Sequence, residues 1–175
     1  MLAARRSLLT ELQPDKLLPS TDEVPDKFEL GTLPYELLAG TTSAVDFIAT
    51  LSDGDGGGRR DRLCSAMAAV SVHESGLRVS LERELATLPG VFRYSRAADR
   101  TPTLLLTIDG RDPRDAHRYL ADLKVNAPAG SFYALEASRH LGLGAAGGLR
   151  VGLAPYSNSD DIDRLIDGLR RFIDG

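Results

Sequence analysis

The stretch that most constrains this chain is its last one, Gly148–Gly175, where the hydrophobic repeat switches from two residues to three and four. Leu149, Val151 and Leu153 alternate, which predicts a short buried strand whose opposite face carries Arg150, Gly152 and Ala154. A guanidinium set among small residues has room for a ligand. Beyond the strand, Ser157, Asn158 and Ser159 offer capping oxygens, and Asp160 and Asp161 fall in a first helical turn, where the dipole favours acids. Ile162, Leu165, Ile166, Leu169 and Phe172 then recur at helical spacing and predict one buried face.

The preceding chain repeats the alternation of helix and strand. Residues 2 to 12 form a short helical pattern that Pro14 ends, and Lys16 to Lys27 reads as an extended loop. Residues 35 to 51 place Leu37, Leu38, Val45, Ile48 and Leu51 at helical spacing. From Arg59 to Leu88 a longer pattern has Leu63, Met67, Val70, Leu77, Leu81, Leu85 and Leu88 along one seam. Cys64 and His73 lie on or beside that seam and read as a packed small residue and a partly exposed polar one. Pro89–Gly90 ends the helix. Strands are expected over Val91 to Tyr94, Leu104 to Ile108 and around Val125, with helices over Pro113 to Leu123 and about 134 to 141. His117 is expected on the outer face of its helix, and His140 as a charge at a helix end.

Two glycine-rich runs invite a ligand reading that their context does not support. Asp53–Gly58 lacks the Lys-Ser/Thr of a phosphate loop and the further oxygens of a calcium loop, so it reads as a linker. Gly142, Gly144 and Gly147 match Gly-x-Gly-x-x-Gly, but the run follows a helix and opens a strand, the reverse of a dinucleotide site. It reads as a connector. A net charge of -4 gives no reason to expect nucleic acid or an anionic membrane as a partner. The lone Cys64 allows neither an internal disulfide nor a four-ligand zinc site, and a reducing cytoplasm is the expected compartment. No stretch reaches the length of a membrane span.

The run from Arg150 to Leu165, Arg-Val-Gly-Leu-Ala-Pro-Tyr-Ser-Asn-Ser-Asp-Asp-Ile-Asp-Arg-Leu, resembles the C-terminal signature of class V aminotransferases, the pyridoxal-phosphate enzymes that include cysteine desulfurases. Ser157 and Asn158 stand where that signature has asparagine and threonine. Phe28-Glu29-Leu30-Gly31-Thr32 resembles the family's Phe-Glu-x-Gly-Thr motif, Leu-Pro-Gly-Val-Phe its entry to the C-terminal domain, and Arg100-Thr101-Pro102-Thr103 a segment of the desulfurase-like branch. The resemblance implies that Arg150 pairs with the carboxylate of an amino-acid substrate. It also implies that Thr32, with Gly31 beside it, donates to the phosphate of pyridoxal 5'-phosphate across a dimer interface. A glycine that lets an anion approach the backbone and a hydroxyl beside it suit that role.

Two departures from the family bear on activity. The loop Ala127-Pro-Ala-Gly-Ser-Phe-Tyr-Ala134 has no cysteine where desulfurases carry their nucleophile, which argues against persulfide chemistry. Lys16, Lys27 and Lys124 are the only lysines, and none stands in the Ser-x-His-Lys context of the coenzyme anchor. No catalytic residue and no metal ligand is therefore assigned. The implied fold is α/β: a two-layer sandwich of a small three- or four-stranded sheet with helices on one face, as in the small domain of fold-type I enzymes. Residues 1–52 read as the tail of an incomplete large domain, 53–58 as linker and 59–175 as the C-terminal small domain. The expectation is a truncated enzyme, inactive unless a lysine-bearing large domain completes it, working as a homodimer or with a complementing chain. The alternatives are a stand-alone carboxylate-binding module and an inactive remnant.

Overall fold

A computed structural model describes residues 4–29, 31–52 and 57–175. The C-terminal part is a four-stranded antiparallel sheet in the order β1-β2-β4-β3, made of β1 Val91–Arg93, β2 Thr103–Ile108, β3 Ala129–Gly130 and β4 Gly148–Gly152. Its helices are α3 Arg59–Leu85, α4 Pro113–Asp122, α5 Leu135–His140 and α6 Ser159–Asp174. Ahead of them lie α1 Arg6–Glu11 and α2 Tyr35–Ile48.

Side-chain alternation decides which face of the sheet is covered. Leu104, Leu106 and Ile108 of β2 and Leu149 and Val151 of β4 are buried, and form one core with Leu81 and Leu85 of α3, Ala116 and Leu120 of α4, and Ile162, Leu165, Ile166 and Leu169 of α6. Helices thus cover one face, as expected of a two-layer α/β sandwich. Leu105 and Arg150, paired in register, stand on the other face. Short α5 borders that side, where Ala137 and Leu141 meet Leu105 around a small pocket.

The closing helix is fixed at its start by a reciprocal cap. Asn158 accepts from the amides of Asp160 and Asp161 through its side chain, and Asp161 Oδ2 accepts from the Asn158 amide at 3.1 Å. Gly168 of α6 is buried, and a Cβ there would come 2.7 Å from Leu120 Cδ2, so its bareness lets α6 lie close on α4.

Several expectations are corrected. The third strand is Ala129–Gly130 rather than the segment around Val125, which is partly buried against the core without a strand partner. Along the α3 seam only Leu81, Leu85 and Leu88 are buried; Cys64 and Met67 are exposed, and in the first half of the helix the buried residue is Ala66. His117 does not face outward: its Nδ1–H donates to the Ala127 carbonyl at 3.0 Å, tying α4 to the chain entering β3. Lys16 to Lys27 is not extended throughout, since Asp26–Phe28 forms a 3₁₀ turn and Lys27 is buried. Of the linker, residues 53–56 lie outside the described residues, as does Leu30 of the Phe-Glu-x-Gly-Thr motif. Gly58 is the N-cap of α3, its amide donating to Asp61 Oδ2 at 2.9 Å.

Candidate functional site

Arg150 occupies the middle of β4, held on both sides by backbone pairing. Its register partner on β2 is Leu105, and its amide donates to the Pro128 carbonyl at 2.8 Å. With Leu149 and Val151 turned into the core, the strand period leaves Arg150 exposed on the uncovered face between Gly148 and Gly152. Among the described residues no carboxylate lies within ion-pairing distance of its guanidinium. What it has instead is an aromatic neighbour: the guanidinium carbon sits 4.0 Å from the centre of the Phe132 ring.

The loop that delivers Phe132 is unusual in its backbone. Phe132 and Tyr133 have φ of 52° and 63°, two consecutive left-handed residues that are not glycine. Each such residue costs on the order of 1 kcal/mol or more, a cost that persists only where the surroundings fix the conformation. Those surroundings are close. A Cβ on Gly147 (φ 68°) would collide with the Gly130 carbonyl and stand 2.6 Å from the Ser131 amide, and one on Gly148 would stand 2.7 Å from the Leu106 carbonyl. Glycine at these positions lets the strand start and the loop press together. The rest of the Gly-x-Gly-x-x-Gly run serves the same connection between α5 and β4: buried Ser138 donates from its hydroxyl to the Gly144 carbonyl at 2.7 Å.

Thr32 and Gly31 lie elsewhere. Gly31 has φ of 79°, and both residues line an open recess of about 490 Å³ built from residues 20–35 alone. Ser20, Thr21, Thr32 and Tyr35 contribute hydroxyls and Asp26 and Glu29 contribute carboxylates, while no lysine or arginine lines the recess. Hydroxyl and amide donors there suit a phosphate edge, and the two acids do not. The structure does not bring Thr32 and Arg150 into one pocket.

The three lysines are occupied or remote. Lys27, 3% exposed, donates from Nζ to the carbonyls of Thr10 and Leu12 at 3.0 and 2.8 Å, closing the end of α1. Lys16 binds the Ser20 carbonyl at 2.6 Å and Asp22 at 3.2 Å. Lys124 follows α4 and lines a cavity of about 390 Å³ with Asn126, Tyr156 and Arg164. Among the described residues none of them lines the Thr32 recess, and none is paired with Arg150. Among the described residues no cluster of three or more metal-ligating side chains occurs, and no helix is long and apolar enough to cross a membrane.

Sequence reasoning identified Arg150 from its place on a strand, but it missed Phe132 as the residue beneath it. The only available signal was the Gly-Ser-Phe-Tyr run itself, since nothing in its periodicity marks a left-handed pair.

The sequence profile of the family described as aminotransferase class-V matches residues 2–165. A probable cysteine desulfurase of Pseudomonas putida is 30% identical over 145 residues, covering 83% of this chain and 32% of that protein. Probable cysteine desulfurase 2 of Mycobacterium leprae is 26% identical over 187 residues, covering 99% of this chain and 41% of that one. The crystal structure of the cysteine desulfurase CsdA from Escherichia coli superposes with a TM-score of 0.70 at 24% identity, over 86% of this chain and 33% of that chain, a likeness of fold. The chain therefore spans about a third to two fifths of the length of these relatives.

Proposed function

Because the chain belongs to the class V aminotransferase family, we propose that it supplies the substrate-carboxylate grip of a cysteine desulfurase-like enzyme acting on an amino acid with pyridoxal phosphate. The observation that carries this reading is the Arg150 guanidinium, held on the uncovered face of the sheet with no carboxylate of its own among the described residues. An arginine fork in that position can donate to both oxygens of a carboxylate in one plane, a stronger and more directional contact than a lysine would make.

In this reading residues 59–175 act as the small domain and residues 1–52 belong with the cofactor-binding part. Gly31 and Thr32 then contribute phosphate donors to a second subunit, whose cations would balance Asp26 and Glu29. The exposed apolar positions of α2, Tyr35, Leu37, Leu38 and Phe47, support a surface that the rest of such an enzyme covers. Pyridoxal phosphate, when bound, withdraws electrons from the carbon that carries the substrate amine. The covalent anchor for that coenzyme is assigned to a lysine outside these residues, and no step of the chemistry is assigned to Lys16, Lys27 or Lys124.

Calorimetry with short amino and keto acids tests the reading. The native chain should bind them, Arg150→Ala should abolish the heat, and Arg150→Lys should weaken binding although the charge remains. Equal binding by all three proteins would exclude Arg150 as the grip. Binding by the native chain with no gain of turnover when a lysine-bearing domain is supplied would favour a stand-alone carboxylate-binding module.

A further inference from the structure

We propose that Phe132 is a positioning residue that sets the orientation of the Arg150 fork, and thereby selects a planar two-oxygen acid over a spherical anion of equal charge. The inference rests on the reading of Arg150 as a carboxylate grip. The guanidinium carbon lies 4.0 Å from the ring centre, in contact with the ring face, and stacking face to face is the arrangement that keeps all three of its nitrogens at van der Waals distance from the ring. One flat side of the cation is then closed to ligands, and its N–H donors point sideways in a fixed plane. A free arginine on an exposed strand would sample many rotamers and act as a point charge. One stacked on a fixed ring has paid that ordering cost before the ligand arrives.

The ring is itself held. Its loop is pinned between β3, whose Gly130 pairs with Gly148, and α5, where the Ala134 amide donates to the Ser131 carbonyl at 2.9 Å. Phe132 also lines the small pocket of about 70 Å³ shared with Leu105, Ala137 and Leu141, on the same face of the sheet as Arg150. The left-handed backbone at Phe132 and Tyr133 separates these neighbours in role: Phe132 is partly buried against Arg150, while Tyr133 projects wholly into solvent.

Arginine side-chain NMR on the full 175-residue chain tests this, with propionate and chloride as probes. The Arg150 Nε–H signal, assigned by its loss in Arg150→Lys, should lie upfield of the other arginines because it sits in the ring's shielding cone. Phe132→Leu should return it to the common position, weaken propionate roughly two- to fivefold, and leave chloride nearly unchanged. Phe132→Tyr should restore both the shift and the preference. An unshifted Arg150 signal in the native chain overturns the proposal, without recourse to any variant. A Phe132→Leu protein that keeps the native propionate affinity overturns it as well, while leaving the carboxylate grip intact if Arg150→Ala still abolishes binding. Loss of no affinity in Arg150→Ala overturns both readings together.

Discussion

The region from β1 to α6 and the region from α1 to α2 contain similar apolar side chains but use them differently. In the first, Leu104, Leu106, Leu120, Leu149 and Leu169 are all but inaccessible to water, each worth on the order of 1.5–3 kcal/mol of transfer free energy. In the second, Leu18 is 99% exposed, Leu37 65% and Phe47 64%, and helix α2 has no buried residue. The difference teaches that stability resides in the sheet and its three covering helices, whereas the N-terminal region leaves large apolar side chains uncovered. Helix α3 spans the change, exposed at Met67 and buried at Leu81 and Leu85.

The largest contrast should come from paired truncations. Leu106→Ala removes a core side chain between sheet and helices and should cost about 2–5 kcal/mol, whereas Leu37→Ala should stay within about 0.5 kcal/mol. Urea denaturation of both variants measures this, and equal losses would break the comparison. A smaller contrast separates two left-handed glycines. Gly31→Ala pays only for the backbone conformation, about 1–2 kcal/mol, since nothing lies within 4 Å of a Cβ there. Gly147→Ala pays that and about 1–3 kcal/mol more for the collision with Gly130 and Ser131, read as a larger drop in thermal midpoint. The smallest effect is at a helix start. Asn158→Ala should cost about 1 kcal/mol through loss of the α6 cap, while Arg5→Ala should cost almost nothing, because α1 has no side-chain cap to lose.

The same contrast explains what could be read from the sequence. Strand β4 and helix α6 were legible because each has a repeat that a buried face imposes, Leu149 and Val151 for the strand and Ile162 to Leu169 for the helix. Arg150 stood out as the charge that breaks the strand's apolar run. Strand β3 was misplaced because two residues carry no period; what makes Ala129 and Gly130 a strand is the edge of β4, far along the chain. His117 was misjudged for a related reason. A helical wheel shows it on an outer side, and only the loop returning past α4 brings the Ala127 carbonyl to its ring. Met67 and Cys64 were expected inside because α3 continues one apolar seam beyond the part that packs against the core. In the candidate site, Arg150 and Thr32 were legible as residue types, whereas the stack on Phe132 depends on a backbone conformation that has no sequence period.

The central claim is that these 175 residues hold an acid group but offer no amine to the coenzyme. Treating the chain with pyridoxal phosphate, reducing with borohydride and mapping the modified peptides tests it most directly. The account predicts no stoichiometric, saturable label at any one of Lys16, Lys27 and Lys124, with Lys27 the least modified because it is buried and closes the end of α1. Full labelling of a single lysine at equimolar coenzyme, lost when an amino acid is added, would contradict it.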